Sequence, residues 1–234
     1  ASVAALALVG GAAVWPMLAG AREQARTLAC QTNMATAGLA FSSYAGENRD
    51  SLPMASASLA GSRWWEVGSS RERSNSANLF TLVRTGHASL ADLACHGNAC
   101  ACTCPTKAGD FDWKSIKDVS YSYQNLYSRF RPRWTEGARS VVMIDRSPVI
   151  LRAIRGEAIN PVENSPNHRG RGQNALLGDG STLFLNTPVL PDGDNVWLPR
   201  GLEGVISRLS EPVRAQPLRG TEAPAAPGDA FLVP

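Results

Sequence analysis

Charge is scarce in this chain. Asp, Glu, Lys and Arg make up 18% of its 234 residues, below the ~25% of ordinary soluble proteins. The 23 basic and 20 acidic groups nearly cancel, leaving a net charge of +3. Lysine stands only at Lys107, Lys114 and Lys117, and the arginines are scattered from Arg22 to Arg219. No basic stripe follows, so nucleic acid is not an expected partner. No internal repeat is present, and without Cys-x-x-Cys-His covalent c-type haem is not indicated. The sequence has neither a serine in a nucleophile elbow nor a helix-borne pair of histidines, so no catalytic residues and no enzyme activity are expected. A hydrophobic fraction of 44% excludes a disordered chain.

What is present starts at the first residue. Residues 1–21 hold no ionisable side chain and read as continuous apolar helix, roughly 30 Å long at the helical rise and enough to cross a bilayer. A secretory leader would need a basic start and a cleavage site, and neither is seen. The run passes without a turn signal into Arg22-Glu23-Gln24-Ala25-Arg26, and helical periodicity continues to about Tyr44. In that second half Cys30, Met34, Ala37, Phe41 and Tyr44 share one face, opposite Thr32, Thr36 and Ser43. Gly46-Glu47-Asn48-Arg49-Asp50, with Pro53 beyond, ends the helix. An element apolar all round in one half and striped in the other calls for lipid or other helices about the first and a globular head against the second.

This layout, with Pro16-Met17-Leu18-Ala19-Gly20-Ala21-Arg22-Glu23-Gln24-Ala25-Arg26 followed by Cys30, resembles the type IV pilin and pseudopilin superfamily. Within it the chain is similar to the bacterial branch with a prepilin-type N-terminal segment and a C-terminal His-x(9–10)-Asp-Gly element. Here that element runs from His168 to Asp179-Gly180, with Ser76 to Arg84 and Cys104-Pro105 fitting the same branch. The resemblance implies a structural subunit of a surface or extracellular filament, a homopolymer assembled through its apolar helix. It implies anchoring in the inner membrane before assembly, with a prepilin peptidase and an assembly platform as partners. It also implies that the first mature residues, with the methylated start and the buried glutamate of the family, lie upstream of Ala1. Gly10, Gly11 and Pro16 are the expected assembly positions, where the helix kinks or melts as copies pack. Alternatives are a type II secretion pseudopilin and a membrane-anchored metal-binding module.

The expected fold class is α+β: a pilin helix over residues 1–46 (1–21 as transmembrane segment and filament core), an antiparallel head over 47–186, and a proline-rich extension over 187–234. Short helices are predicted at 78–84, 89–93 and 202–209, and strands at 119–123, 140–144 and 149–151. Segments 174–177 and 182–185 form the clearest hairpin, with Asp179-Gly180 supplying its turn. His168 and Asp179 are read as structural, one closing a turn after Pro166 and the other serving as turn aspartate.

Cys30, Cys95, Cys100, Cys102 and Cys104 are disulfide candidates. The oxidising compartment implied by the resemblance favours two disulfides and one leftover thiol, with Cys104 as first choice of partner for Cys30. Zinc in the cysteine loop around His96 is the alternative, although Cys-x-Cys-x-Cys is cramped for a structural site. Asp192 and Asp194 offer clustered oxygens to calcium, but the spacing lacks the EF-hand pattern and a plain turn is the favoured reading. The extension, with its prolines, is expected to lie as a strap over the head or a neighbour rather than in regular sheet.

Overall fold

The computed structural model describes residues 2–59, 61–68, 73–104, 106–135, 139–206, 208 and 218–234, with side chains from residue 17 onward. α1 (Ser2–Glu47) is one helix of 46 residues, roughly 69 Å long. Its backbone is continuous through Gly10, Gly11 and Pro16, whose side-chain surroundings lie outside the described residues. Arg49 and Asp50 then adopt left-handed φ of 56° and 59° and stop it. Cys30, Met34, Ala37 and Phe41 are wholly buried, Tyr44 is half-buried, and Thr32, Thr36 and Ser43 face solvent. The stripe is the docking face of the helix, and the polar positions are its back.

The head is an α+β unit with an antiparallel sheet of five strands: β1 (Tyr121–Gln124), β2 (Val141–Asp145), β3 (Gln173–Leu177), β4 (Thr182–Leu185) and β5 (Leu232–Val233), in the order β4-β3-β2-β1-β5. β3 and β4 form the predicted hairpin, pairing Leu176 with Thr182. Gly180, at φ 83°, takes the conformation the turn needs and donates its N–H to Leu177 O. One face of the sheet packs on α1 and on α2 (Asn75–Arg84) through Met34, Phe41, Leu79, Leu82, Tyr121, Tyr123, Met143 and Leu176. The opposite face is covered by Val149, Ile150, Trp197, Phe231 and Leu232. Covering on both faces explains why β1, β2 and β3 are buried at every residue instead of alternating.

Several expectations are corrected. Residues 149–151 are β-branched enough to suggest a strand, yet they lie in a helix, α3 (Pro148–Ile154). Ser147 accepts the Ile150 N–H as cap and Pro148 occupies the first turn, so the local start signal outweighs β propensity. Residues 89–93 form a turn, not a helix, because the Asp92 carboxylate ties back to Ser89 N–H and Oγ. α2 starts at Asn75, earlier than expected, behind the Ser74 cap. α4 (Leu202–Ile206) covers most of the last predicted helix, and residues 207 and 209 lie outside the described residues. The extension does enter the sheet: β5 pairs with β1, and the Asn75 amide bonds Tyr123 O and Val233 O across that edge.

Candidate functional site

His168 ends a 3-10 turn, Pro166–His168, capped by Ser165. Ser165 Oγ accepts the Asn167 N–H and donates to Arg146 O, while Arg169 turns the chain away at φ 57°. The cysteine loop presses on this turn at Gly97, where any Cβ would collide with the Asn167 carbonyl. Glycine is thus required for the approach of the two segments. On the other side Asn33 of α1 holds the loop through a 2.7 Å bond to Ala94 O.

The imidazole of His168 is wholly buried among α1, the cysteine loop, β2 and β3. Nε2 lies 3.0 Å from Asp145 Oδ2, 3.1 Å from Asn174 Nδ2 and 3.9 Å from Cys95 Sγ. A carboxylate only accepts, so the Asp145 bond takes its proton from Nε2, and the Asn174 amide beside it then makes no hydrogen bond to that nitrogen. Nδ1 faces Thr27 Oγ1 at 3.3 Å and Glu23 Oε1 at 3.9 Å, both from α1. Asp145, also wholly buried, accepts the Asn174 N–H at 2.6 Å and the Asn167 amide at 3.0 Å. Glu23 is 4% exposed. Its Oε2 pairs with Arg169 at 3.4 Å and Arg26 at 3.8 Å, while Oε1 has no hydrogen-bond partner among the described residues. Thr27 and Glu23 of α1 thus meet His168, Arg169 and Asn174 of the head in one cluster, which ties α1 to the sheet.

Beside it Cys30 and Cys95 form a disulfide. The partner of Cys30 is therefore Cys95 rather than Cys104, because the loop enters against α1 through its first cysteine. Cys100, Cys102 and Cys104 are free thiols, so the molecule has one disulfide where two were expected. Cys30, Cys95 and His168 offer ligand atoms within 4.8 Å of one another, the one such group among the described residues. His96 does not join it.

His168 and Asp179 are not brought together. Asp179 sits exposed at the hairpin turn and accepts the Ser181 hydroxyl and N–H. Those bonds, the hydroxyl first, hold its carboxyl below the usual value of 3.8. Gly180 shares that turn, at the point where Gly38 of α1 packs close to its carbonyl. Asp192 and Asp194 both pair with the Arg200 guanidinium, at 3.1 and 3.0 Å. Sequence reasoning missed Asp145, Glu23, Thr27 and Asn174. The available signal was an aspartate closing the apolar run Val-Val-Met-Ile, where a buried strand end must find donors for it.

No protein-family model, curated protein or solved structure matches this chain. Among the described residues no helix is long and apolar enough to cross a membrane. The side chains of 2–16, which carry most of the apolar run, lie outside that set.

Proposed function

We propose that this chain is a pilin-like structural subunit that polymerises through the first half of α1 into a surface or extracellular filament, after a stage anchored in the inner membrane. The observation that carries the reading is the division of α1. Its first buried residue after the undescribed side chains is Glu23. Before it, Met17 is 75% and Leu18 48% exposed on a helix that extends more than a dozen residues further. Large apolar side chains presented on a projecting helix are stable in water only when something covers them, and copies of the same helix provide that cover in a bundle. A head clamped to the other half by the disulfide and the His168 cluster fits a unit carried on a filament core.

Electron cryomicroscopy of material sheared from producing cells tests this. Filaments with the N-terminal helices bundled at the axis are expected. Met17→Glu should abolish them while leaving the thermal melt of the head unchanged. Abundant protein in the membrane fraction with no polymer under any growth condition would overturn the filament reading.

A further inference from the structure

We propose that Cys30, Cys95 and His168, with Asp145 as fourth ligand, form a buried site for a zinc-class divalent cation when the two cysteines are in the dithiol state. Disulfide closure and metal binding are then alternative states of one residue set. Two thiolates, one imidazole and one carboxylate suit a borderline-soft, tetrahedral ion. Zinc–ligand lengths place a sulfur and a nitrogen about 3.6 Å apart on a tetrahedron, and a nitrogen and an oxygen about 3.4 Å apart. His168 Nε2 stands 3.9 Å from Cys95 Sγ and 3.0 Å from Asp145 Oδ2. The two sulfurs must separate, by rotation of side chains already facing each other, and Asp145, which touches Nε2 but stands outside the Cys30–Cys95–His168 group, must swing toward them to complete the set.

The surroundings supply what such a site needs beyond its ligands. A metal on Nε2 moves the remaining ring proton to Nδ1, where Thr27 Oγ1 and Glu23 Oε1 wait at 3.3 and 3.9 Å. Glu23 Oε1 is buried without a hydrogen-bond partner among the described residues in the disulfide form. A carboxylate behind a ligating imidazole orients the ring and raises its basicity. An open groove of about 520 Å³ between α1 and β4, lined by Gln24, Thr27, Leu28, Arg171, Phe184 and Asn186, reaches two neighbours of the imidazole. Thr27 bonds Nδ1, and the Phe184 ring meets the imidazole edge-on at 6.2 Å. That groove is the entry path.

The chemistry balances. A phosphine gives two electrons to the disulfide and is oxidised to its phosphine oxide with the oxygen of a water, whose two protons leave two thiols; binding of the cation then releases two protons as both sulfurs become thiolates.

The test uses the full chain carrying Cys100→Ser, Cys102→Ser and Cys104→Ser, so that the free thiols do not compete. The protein is reduced anaerobically with a phosphine and titrated with cobalt(II), then with zinc(II). One cobalt per chain is expected, with a thiolate-to-metal charge-transfer band and tetrahedral d–d bands that zinc abolishes. The oxidised chain should bind none. Cys30→Ser should cut the charge-transfer band to the intensity of the one remaining thiolate, Cys95, and weaken uptake, and Glu23→Gln should weaken affinity about 10–100-fold without changing stoichiometry. Circular dichroism runs alongside to follow folding. Three results overturn the proposal: a reduced, folded chain that takes up no cobalt; uptake undiminished by Cys30→Ser; or a reduced chain that loses its near-ultraviolet signal and does not regain it with cobalt.

Discussion

Removal of the Cys30–Cys95 bond should destabilise the molecule by an amount its loop length sets. The two cysteines are 65 residues apart, and the chain-entropy relation for that loop gives about 4.3 kcal/mol of restraint on the unfolded chain. The perturbation is Cys30→Ala with Cys95→Ala in a background where Cys100, Cys102 and Cys104 are serine, which prevents reshuffling. Both cysteines are buried, at 0% and 1% exposure, so alanine also leaves a small void worth about 1 kcal/mol. The assay is equilibrium unfolding in urea followed by circular dichroism. With a slope of about 2–3 kcal/mol/M, the combined loss should lower the midpoint by about 1.8–2.7 M. Non-reducing peptide mapping of the parent should join Cys30 to Cys95. An unchanged midpoint, or a peptide joining Cys30 to Cys104, would refute the reasoning. Because total stability is typically about 5–15 kcal/mol, most of that range survives the loss, and the reduced chain remains folded enough to be tested with metal.

Asp145→Ala should cost about 3–5 kcal/mol, since it strands the His168 N–H, the Asn167 amide and the Asn174 N–H in the interior; thermal melts measure it. Phe41 stacks on Tyr123 at 5.7 Å and on Trp134 at 5.4 Å. Phe41→Ala should cost about 3–5 kcal/mol, and a double-mutant cycle with Trp134→Ala should return about 0.5–1.5 kcal/mol of coupling; zero coupling would place the ring elsewhere. Gly97→Ala should cost at least about 1–3 kcal/mol, read as a lowered Tm, because backbone rather than a flexible side chain blocks the methyl. Burial pushes the Asp112 carboxyl above its ordinary 3.8, against the opposing hydrogen bonds of Ser74, Ser76, Gly68 and Trp113. The folded chain therefore holds this proton more tightly than the unfolded one. The stability it contributes is present below the unfolded value and is lost as pH rises through the folded one. A carboxyl NMR titration of Asp112 should show a midpoint above 3.8, and a midpoint at or below that value would contradict it.

Legibility in the sequence followed the range of the interaction. The α1 stripe from Cys30 to Tyr44 and the β3–β4 hairpin could be read directly, because a helix face and a two-strand turn are specified by neighbours within a few residues. α3 shows a local signal outweighed in the reading: Ser147-Pro148 marks a helix start, but the β-branched run behind it pointed the other way. The site was hidden for a different reason. Asp145 and His168 are 23 positions apart, and Glu23 is far from both along the chain. Only the strand order and the docking of α1 bring them together. The choice of Cys95 over Cys104 likewise depends on how the loop enters, a fact of packing rather than spacing.

The position of β5 has a consequence for how the molecule is made. β1 is complete at Gln124, but its partner on one side, Leu232–Val233, is encoded about 110 residues later. At the usual synthesis rate of about 5–20 residues per second, that edge of β1 waits about 5–20 s for its mate. During the wait its unpaired N–H and C=O groups are a template for any other extended segment. The buried serine and glutamine of Tyr-Ser-Tyr-Gln make β1 less sticky than an all-apolar strand, yet a chaperone that covers extended segments would act in this interval. Substitutions in residues 125–231 that slow translation should thus raise aggregation without altering the stability of the finished protein.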